Sequence, residues 1–85
     1  MDVLTYKLVT ATEGATTVNS GGLNSAQIIK VVRQGIQHDF TSIVNLSTMS
    51  GREWTFLTWN KRIVFRDDMP FEAGEKIYIM YKIVL

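Results

Sequence analysis

Two runs of alternating apolar and polar residues, joined at Asn60-Lys61, predict a β-hairpin over residues 52–68. A two-residue turn there fixes which residues lie opposite each other, because side chains alternate between the two faces of a strand. One face carries large apolar residues that we expect to form core: Trp54, Phe56, Ile63 and Phe65. The other face combines apolar and basic residues, namely Leu57, Trp59, Arg62, Val64 and Arg66.

This second face is the predicted binding surface, because it is too apolar and too basic for an ordinary solvated surface. The predicted turn sets Trp59 opposite Arg62, so the guanidinium can lie on the indole and the pair can serve cross-strand packing alone. Alternatively, the face binds a partner, since Trp, Tyr, Met and Arg are enriched at interfaces. Tyr78 and Met80 of the last predicted strand extend the surface if that strand is adjacent.

The composition favours a single domain over residues 1–85 that hides part of its surface in an assembly. The chain has 85 residues and no cysteine, so no disulfide supports its small core. Hydrophobic residues make up 46% and charged residues only 20%, which is low for a small monomer. We therefore expect a homo-oligomer or a subunit of a larger assembly.

The order of predicted elements indicates an α+β fold. Strands are predicted over residues 3–10, 16–19 and 42–46, in the 52–68 hairpin, and over Lys76–Val84. Apolar residues at helical spacing predict one helix over residues 25–37, with Asn24 or Ser25 as its N-cap. The expected architecture is a mostly antiparallel sheet with the helix packed on one face. A small barrel with a capping helix is the alternative.

The order β-β-α-β-β-β-β resembles the ubiquitin-like β-grasp arrangement. Residues 69–79, which read MPFEAGEKIYI, are similar to the final turn and strand of the small sulfur-carrier proteins of that fold. The resemblance implies a β-grasp-like domain. Those carriers and ubiquitin end in a Gly-Gly pair, whereas this chain ends in Lys82-Ile83-Val84-Leu85, which argues against a carrier role.

No constellation in the sequence predicts catalysis, a cofactor or a metal. His38 is the only histidine, and its neighbour Asp39 does not orient its ring by default. The Gly21-Gly22 loop lacks the lysine and the glycine spacing of a phosphate-binding loop. Four acidic residues near the last strand lack EF-hand spacing: Asp67, Asp68, Glu72 and Glu75.

The sequence therefore predicts a non-enzymatic protein-interaction or assembly module that self-associates through the second hairpin face. The alternative is binding of single-stranded DNA or RNA by the same face, with aromatic rings stacking on bases and cations holding phosphates. A net charge of +1 gives no general attraction to nucleic acid. The start of the sequence shows no signal peptide, which favours a cytoplasmic or virion location, and the composition fits a small phage or mobile-element protein.

Overall fold

The computed structural model describes residues 2–42, 51–66 and 68–84. These residues form seven strands and one short 3₁₀ turn at Ser25–Gln27. The strands are β1 Asp2–Thr10, β2 Thr17–Asn19, β3 Ile28–Arg33, β4 Ile36–Phe40, β5 Glu53–Leu57, β6 Arg62–Val64 and β7 Lys76–Val84. The predicted strand over residues 42–46 lies, apart from Ser42, outside the described residues.

All seven strands belong to one sheet that curls into a half-barrel. The strand order is β1-β7-β3-β4-β5-β6-β2, so β1 and β2 are the two edges. Neighbouring strands are antiparallel except for β4 and β5, which are parallel. The core is a single cluster of apolar side chains drawn from most of the strands and loops: Ala11, Val18, Leu23, Ile28, Val31, Trp54, Ile63, Phe65, Phe71, Ile77 and Ile79.

The predicted α+β class is wrong, and so is the β-grasp-like arrangement. Strands account for 53% of the structure and helical turns for 4%. The described residues contain no helix of seven residues or more. The helix predicted over residues 25–37 is instead the hairpin β3–β4. Its turn is Gln34-Gly35, whose φ angles of 54° and 74° are those of a tight two-residue hairpin turn. The alternative, a small barrel with a capping helix, is also wrong, because the described residues form a half-barrel and contain no such helix.

The alternation of β3 is broken at its start, which explains why the residues read as a helix. A bulge between Ile28 and Lys30 shifts the register against β7. Ile28 is therefore buried in the core, whereas Ile29 is 50% exposed. On the inner face Val31 is followed by a charged residue, Arg33, which is 3% exposed. Neither feature fits a simple period of two.

The two N-terminal strands are predicted correctly, but they do not pair with each other. β1 pairs with β7 over its whole length, and β2 pairs with β6 at the opposite edge of the sheet. The loop between them is bonded to the segment before β7, with Ala11 N donating to Glu75 O at 2.8 Å and Gly14 N to Phe71 O at 2.9 Å. The last strand, β7, has the bounds that the sequence predicts.

The hairpin β5–β6 is confirmed, but its predicted turn is wrong. Phe56 lies opposite Ile63, and Leu57 lies opposite Arg62, so residues 58–61 form a four-residue loop. Lys61 in that loop has a φ of 53°. This register differs from the predicted one by two residues, so each side chain within the two strands remains on its predicted face. The core face is confirmed for Trp54, Ile63 and Phe65, which are at most 3% exposed.

Candidate functional site

The second face of the β5–β6 hairpin is mostly closed, contrary to expectation. Val64 is 2% exposed and its cross-strand neighbour Thr55 is 3% exposed, so the expected exposure of Val64 is wrong. Strand β2 pairs with the outer edge of β6 and supplies a partner for Arg62. Arg62 Nε donates to Thr17 Oγ1 at 2.8 Å, and Nη2 donates to Thr17 O at 3.1 Å. The guanidinium is thus held by Thr17, not by the Trp59 indole as the predicted register suggests.

The other predicted residues of this face differ in their exposure. Leu57 is half-buried. Arg66 is also half-buried, and its Nε lies 3.0 Å from Asp68 Oδ1. Trp59 is 80% exposed in the loop of the hairpin. Of the five predicted residues on this face, Trp59 alone is largely exposed, so the hairpin offers one projecting indole and not a broad surface.

Tyr78 and Met80 belong to a different surface. Strand β7 lies between β1 and β3, and three strands separate it from β6. Tyr78 stacks on Tyr6 of β1, with ring centroids 5.0 Å apart and planes 23° from parallel. Met80 lies opposite Tyr6 in the β1–β7 register. The structure therefore does not bring the seven predicted binding residues together.

Three exposed apolar side chains form a stripe on β1. Leu4, Tyr6 and Leu8 share one face of this strand and are 61%, 60% and 61% exposed. We call these three residues the β1 stripe. The intervening residue Lys7 is half-buried on the other face, with Nζ 5.4 Å from the centroid of the Tyr81 ring. A long edge strand with an exposed apolar face is a preferred site for pairing with another chain.

The sequence of β1 reads almost the same in both directions. From Val3 to Val9 it is Val-Leu-Thr-Tyr-Lys-Leu-Val, which is symmetric about Tyr6 except for Thr5 and Lys7. Sequence reasoning missed this signal, because the symmetry matters only if the strand lies at an edge of the sheet. With β7 as its only partner in the described sheet, β1 instead leaves its second edge unpaired in the sheet.

The single histidine is a core residue. His38 lies in the middle of β4, not past the end of a helix as expected, and is 5% exposed. Its Nδ1 lies 2.9 Å from Ile36 O, and its ring packs edge-on against Phe65 at 5.4 Å. Asp39 is exposed on the opposite face of the strand. The two neighbours therefore do not form a catalytic pair with each other.

Neither a metal site nor a membrane-spanning helix is present in the described ranges. Within residues 2–42, 51–66 and 68–84, no three acidic or histidine side chains are grouped so that they could hold a metal ion. No helix in those ranges is long and apolar enough to cross a membrane. Comparison with family models, with curated proteins and with solved structures finds no significant match to the chain.

Proposed function

We propose that this protein is a non-enzymatic assembly module that self-associates by pairing strand β1 with β1 of a second copy. One observation carries the proposal: the near-symmetric sequence of β1 lies on an edge strand whose apolar stripe is exposed. A two-fold axis places the same surface of both copies in contact, so the surface must be complementary to itself. A strand that reads the same in both directions meets this condition when it pairs antiparallel.

The symmetry of β1 fixes the register of the proposed dimer. Antiparallel pairing about Tyr6 sets Leu4 opposite Leu8 of the second copy and Val3 opposite Val9. The two Tyr6 residues lie opposite each other at the axis. Apolar and aromatic cross-strand pairs of this kind each contribute roughly 0.2–1 kcal/mol relative to alanine pairs. The sheet then continues from one copy into the next.

Lys7 restricts the edge to this register. A lysine that points inward from an edge strand discourages indiscriminate pairing. In the proposed register Lys7 lies opposite Thr5 of the second copy, so the two lysines are not directly opposed. A shift that set Lys7 against Lys7 would oppose two like charges. The charge pattern of β1 therefore agrees with the apolar pattern in selecting one arrangement.

The dimer is expected to be weak and reversible. The contact consists of one strand of nine residues, whereas stable interfaces bury about 800 Å² on each partner. We therefore expect a Kd in the micromolar range. Sedimentation velocity over micromolar to submillimolar concentrations should show a monomer–dimer equilibrium. A strict monomer throughout this range would overturn the proposal.

Paired charge substitutions test the register. Leu4→Glu and Leu8→Lys should each weaken self-association, because each sets a charge opposite a leucine. The double variant L4E/L8K should recover it at low salt, because the register sets each new acid opposite a new base. High salt should remove that recovery, since exposed ion pairs are screened. A double variant weaker than both single variants would rule out this register.

Trp59→Lys is the matched control. It places a charge at a residue that is 80% exposed but belongs to the loop between β5 and β6, not to β1, and it should leave the equilibrium unchanged. Loss of self-association in this variant would instead assign the interface to the loop of the β5–β6 hairpin. That result would overturn the role of β1 and favour the surface that the sequence predicts.

The alternative function, binding of single-stranded nucleic acid by the hairpin face, stays a prediction without a supporting observation. Arg62 is bonded to Thr17, and Arg66 is paired with Asp68. Lys61 Nζ lies 3.4 Å from Gly22 O. Quenching of tryptophan fluorescence by an oligonucleotide at low salt, where phosphate contacts are strongest, would support it. A cytoplasmic location likewise stays a prediction.

A further inference from the structure

A small cavity lies between the two edge strands of the half-barrel, and residues of both edges line it. Its volume is about 180 Å³, which is below the roughly 300–1,000 Å³ of sites for drug-sized ligands, so only a small group fits. The lining residues come from the end of β1, the loop after it, β2 and the start of β6, and none of them is acidic: Val9, Thr10, Thr12, Thr17, Val18, Asn19 and Arg62.

The Arg62 guanidinium is fixed at this cavity with one nitrogen unused. Nε and Nη2 are bonded to Thr17, at 2.8 Å and 3.1 Å. Within the described ranges Nη1 makes no hydrogen bond, and it is not one of the buried polar atoms that lack a partner, so it is open to solvent. A ligand in the cavity can therefore reach a charged donor that is already held in place.

Two threonine hydroxyls at the cavity each accept a hydrogen bond from a cation. Thr17 Oγ1 accepts from Arg62 Nε, and Thr10 Oγ1 accepts from Lys76 Nζ at 2.5 Å. A hydroxyl that accepts a hydrogen bond still has its own proton to donate, and neither donates it to another described residue. Thr10 is exposed and Thr17 is half-buried, so a ligand can reach both hydroxyls.

The other polar residues of the wall favour a ligand that accepts hydrogen bonds. Thr12 adds a further exposed hydroxyl. Asn19 Oδ1 already accepts from Gly21 N at 2.7 Å, so this oxygen is less available to a ligand that donates. The cavity thus presents more unused donors than unused acceptors.

The two cations at the cavity, Arg62 and Lys76, form no ion pair within the part of the chain that the structure describes. The ion pairs found there belong to two other arginines, Arg33 and Arg66. Glu75, which precedes Lys76, is bonded to Arg33. The net charge of the chain is only +1, so the positive potential at this cavity is a local feature that favours an anion.

We propose that this cavity binds a phosphate group. Its oxygens accept from Arg62 Nη1 and from the Thr10 and Thr17 hydroxyls, while Lys76 contributes a second positive charge. A carboxylate fits less well, because it commonly binds two nitrogens of one arginine and two of the three in Arg62 are already bonded to Thr17. A tetrahedral group, in contrast, directs its oxygens toward several separate donors.

The phosphate can be the free ion or the ester of a small molecule, since both present the same oxygens. The site is distinct from the β1 stripe, because Leu4, Tyr6 and Leu8 do not line the cavity. Leu4→Glu, which should weaken self-association, should bind phosphate as the unmodified protein does. Failure of one proposal therefore leaves the other standing.

An NMR titration of the intact ¹⁵N-labelled protein provides a direct test. Sodium phosphate at constant ionic strength should shift the amide signals of Thr10, Thr12 and Thr17 and the Nε signal of Arg62. The shifts should saturate with a Kd near the millimolar range. Acetate and chloride are the comparison anions and should bind more weakly. Methyl phosphate distinguishes the sources: binding as tight as that of inorganic phosphate indicates an ester, and weaker binding indicates the free ion.

Three substitutions complete the test. Arg62→Gln should weaken phosphate binding about tenfold, because it removes a charged donor. Lys76→Gln, at an exposed side chain, should weaken it about two- to fivefold. Lys30→Gln is the matched control, because it removes the same charge from a strand that does not line the cavity, and it should leave binding unchanged. If Arg62→Gln does not fold, the comparison of Lys76→Gln with Lys30→Gln still decides.

Three results would overturn the proposal. The first is a phosphate titration that shifts these signals no more than chloride or acetate does. The second is unchanged phosphate binding by a folded Arg62→Gln variant. The third is an equal loss of binding in Lys30→Gln and Lys76→Gln, which would show a general effect of net charge and not a site.

Discussion

The hairpins β3–β4 and β5–β6 are adjacent in the same sheet but supply different chemistry to the core. β5–β6 and the residue after it contribute apolar side chains, of which Trp54, Ile63 and Phe65 are at most 3% exposed. β3–β4 contributes Val31 but also the polar residues Arg33 and His38. The comparison shows that a strand can be as deeply buried as its neighbour without the apolar alternation that makes it recognisable.

Phe65 is where the two hairpins meet. Its ring lies 5.2 Å from the Arg33 guanidinium and 5.4 Å from the His38 ring. The aromatic rings of one hairpin thus form the environment in which the polar groups of the other are buried. Because burial of an unpaired charge is costly, the polar hairpin depends on its partners more strongly than the apolar one does on any single contact.

Loss of the carboxylate that pairs with Arg33 should give the largest effect. The two side chains of this ion pair are 3% and 6% exposed, so Glu75→Ala leaves a buried guanidinium uncompensated. Removing one partner of a buried pair costs about 3–5 kcal/mol. Urea unfolding followed by tryptophan fluorescence measures this loss. Glu72→Ala, at an exposed acid three residues earlier, should change the free energy of unfolding by less than about 0.5 kcal/mol.

A double substitution distinguishes the charge from the packing. Arg33→Met combined with Glu75→Met removes both charges and should be more stable than Glu75→Ala alone, since an apolar replacement of a buried pair is often neutral. If the two variants were equally unstable, the Glu75 side chain would stabilise β3–β4 by packing. The charge of the Arg33–Glu75 pair would then not explain the difference between the two hairpins.

A smaller effect should come from the face of β5–β6 that the sequence predicts to be exposed. Val64 is 2% exposed, so Val64→Ala should cost about 2 kcal/mol by removing buried methyl groups. Leu8→Ala is the control on β1, where the side chain is 61% exposed, and should cost less than about 0.5 kcal/mol in the monomer. If Val64→Ala were as stable as Leu8→Ala, this would contradict the burial of Val64.

A substitution in the turn of β3–β4 should have a smaller effect on the free energy of unfolding. The sign of that effect distinguishes a hairpin from a helix at these residues. Gly35 has a φ of 74°, and an added Cβ would contact nothing within 4 Å. Gly35→Ala should therefore cost about 1 kcal/mol through backbone conformation alone. In a helix interior the same change would stabilise by about 0.5–1 kcal/mol. A higher urea midpoint for this variant would contradict the hairpin.

The sequence predicts those parts of the fold in which alternation is uninterrupted. Strands β1 and β7 and the core face of β5–β6 follow from it, and even the error of two residues in the hairpin register leaves the faces unchanged. The β3–β4 hairpin could not be recognised in this way. Its bulge after Ile28 interrupts the period, and the partners that allow Arg33 to be buried come from residues 37 and 42 positions away.

The candidate site depends on strand order, which alternation does not encode. Whether Val64 is exposed depends on what covers the outer face of the hairpin, and whether β1 has a free edge depends on where β2 lies. Because β2 pairs with β6 and not with β1, the outer edge of β6 is closed, whereas β1 has one edge without a partner in the described sheet. The sequence predicts that Val64 is exposed, but Val64 is 2% exposed. The symmetry of β1 is visible in the sequence, but it favours self-association only if β1 has an edge without a partner in the sheet.

The smallest effect should come from Trp59, the residue that dominates the sequence of the second hairpin. Its side chain is 80% exposed, so Trp59→Ala should change the free energy of unfolding by less than about 0.5 kcal/mol. Urea unfolding followed by circular dichroism measures this without relying on the lost fluorophore. Trp54→Ala is the matched control: that indole is 3% exposed and stacks edge-on against Phe40 at 5.0 Å, so it should cost about 3–5 kcal/mol. A cost above 1 kcal/mol for Trp59→Ala would show that the indole packs on the protein, and the β5–β6 hairpin would then be closed on both faces.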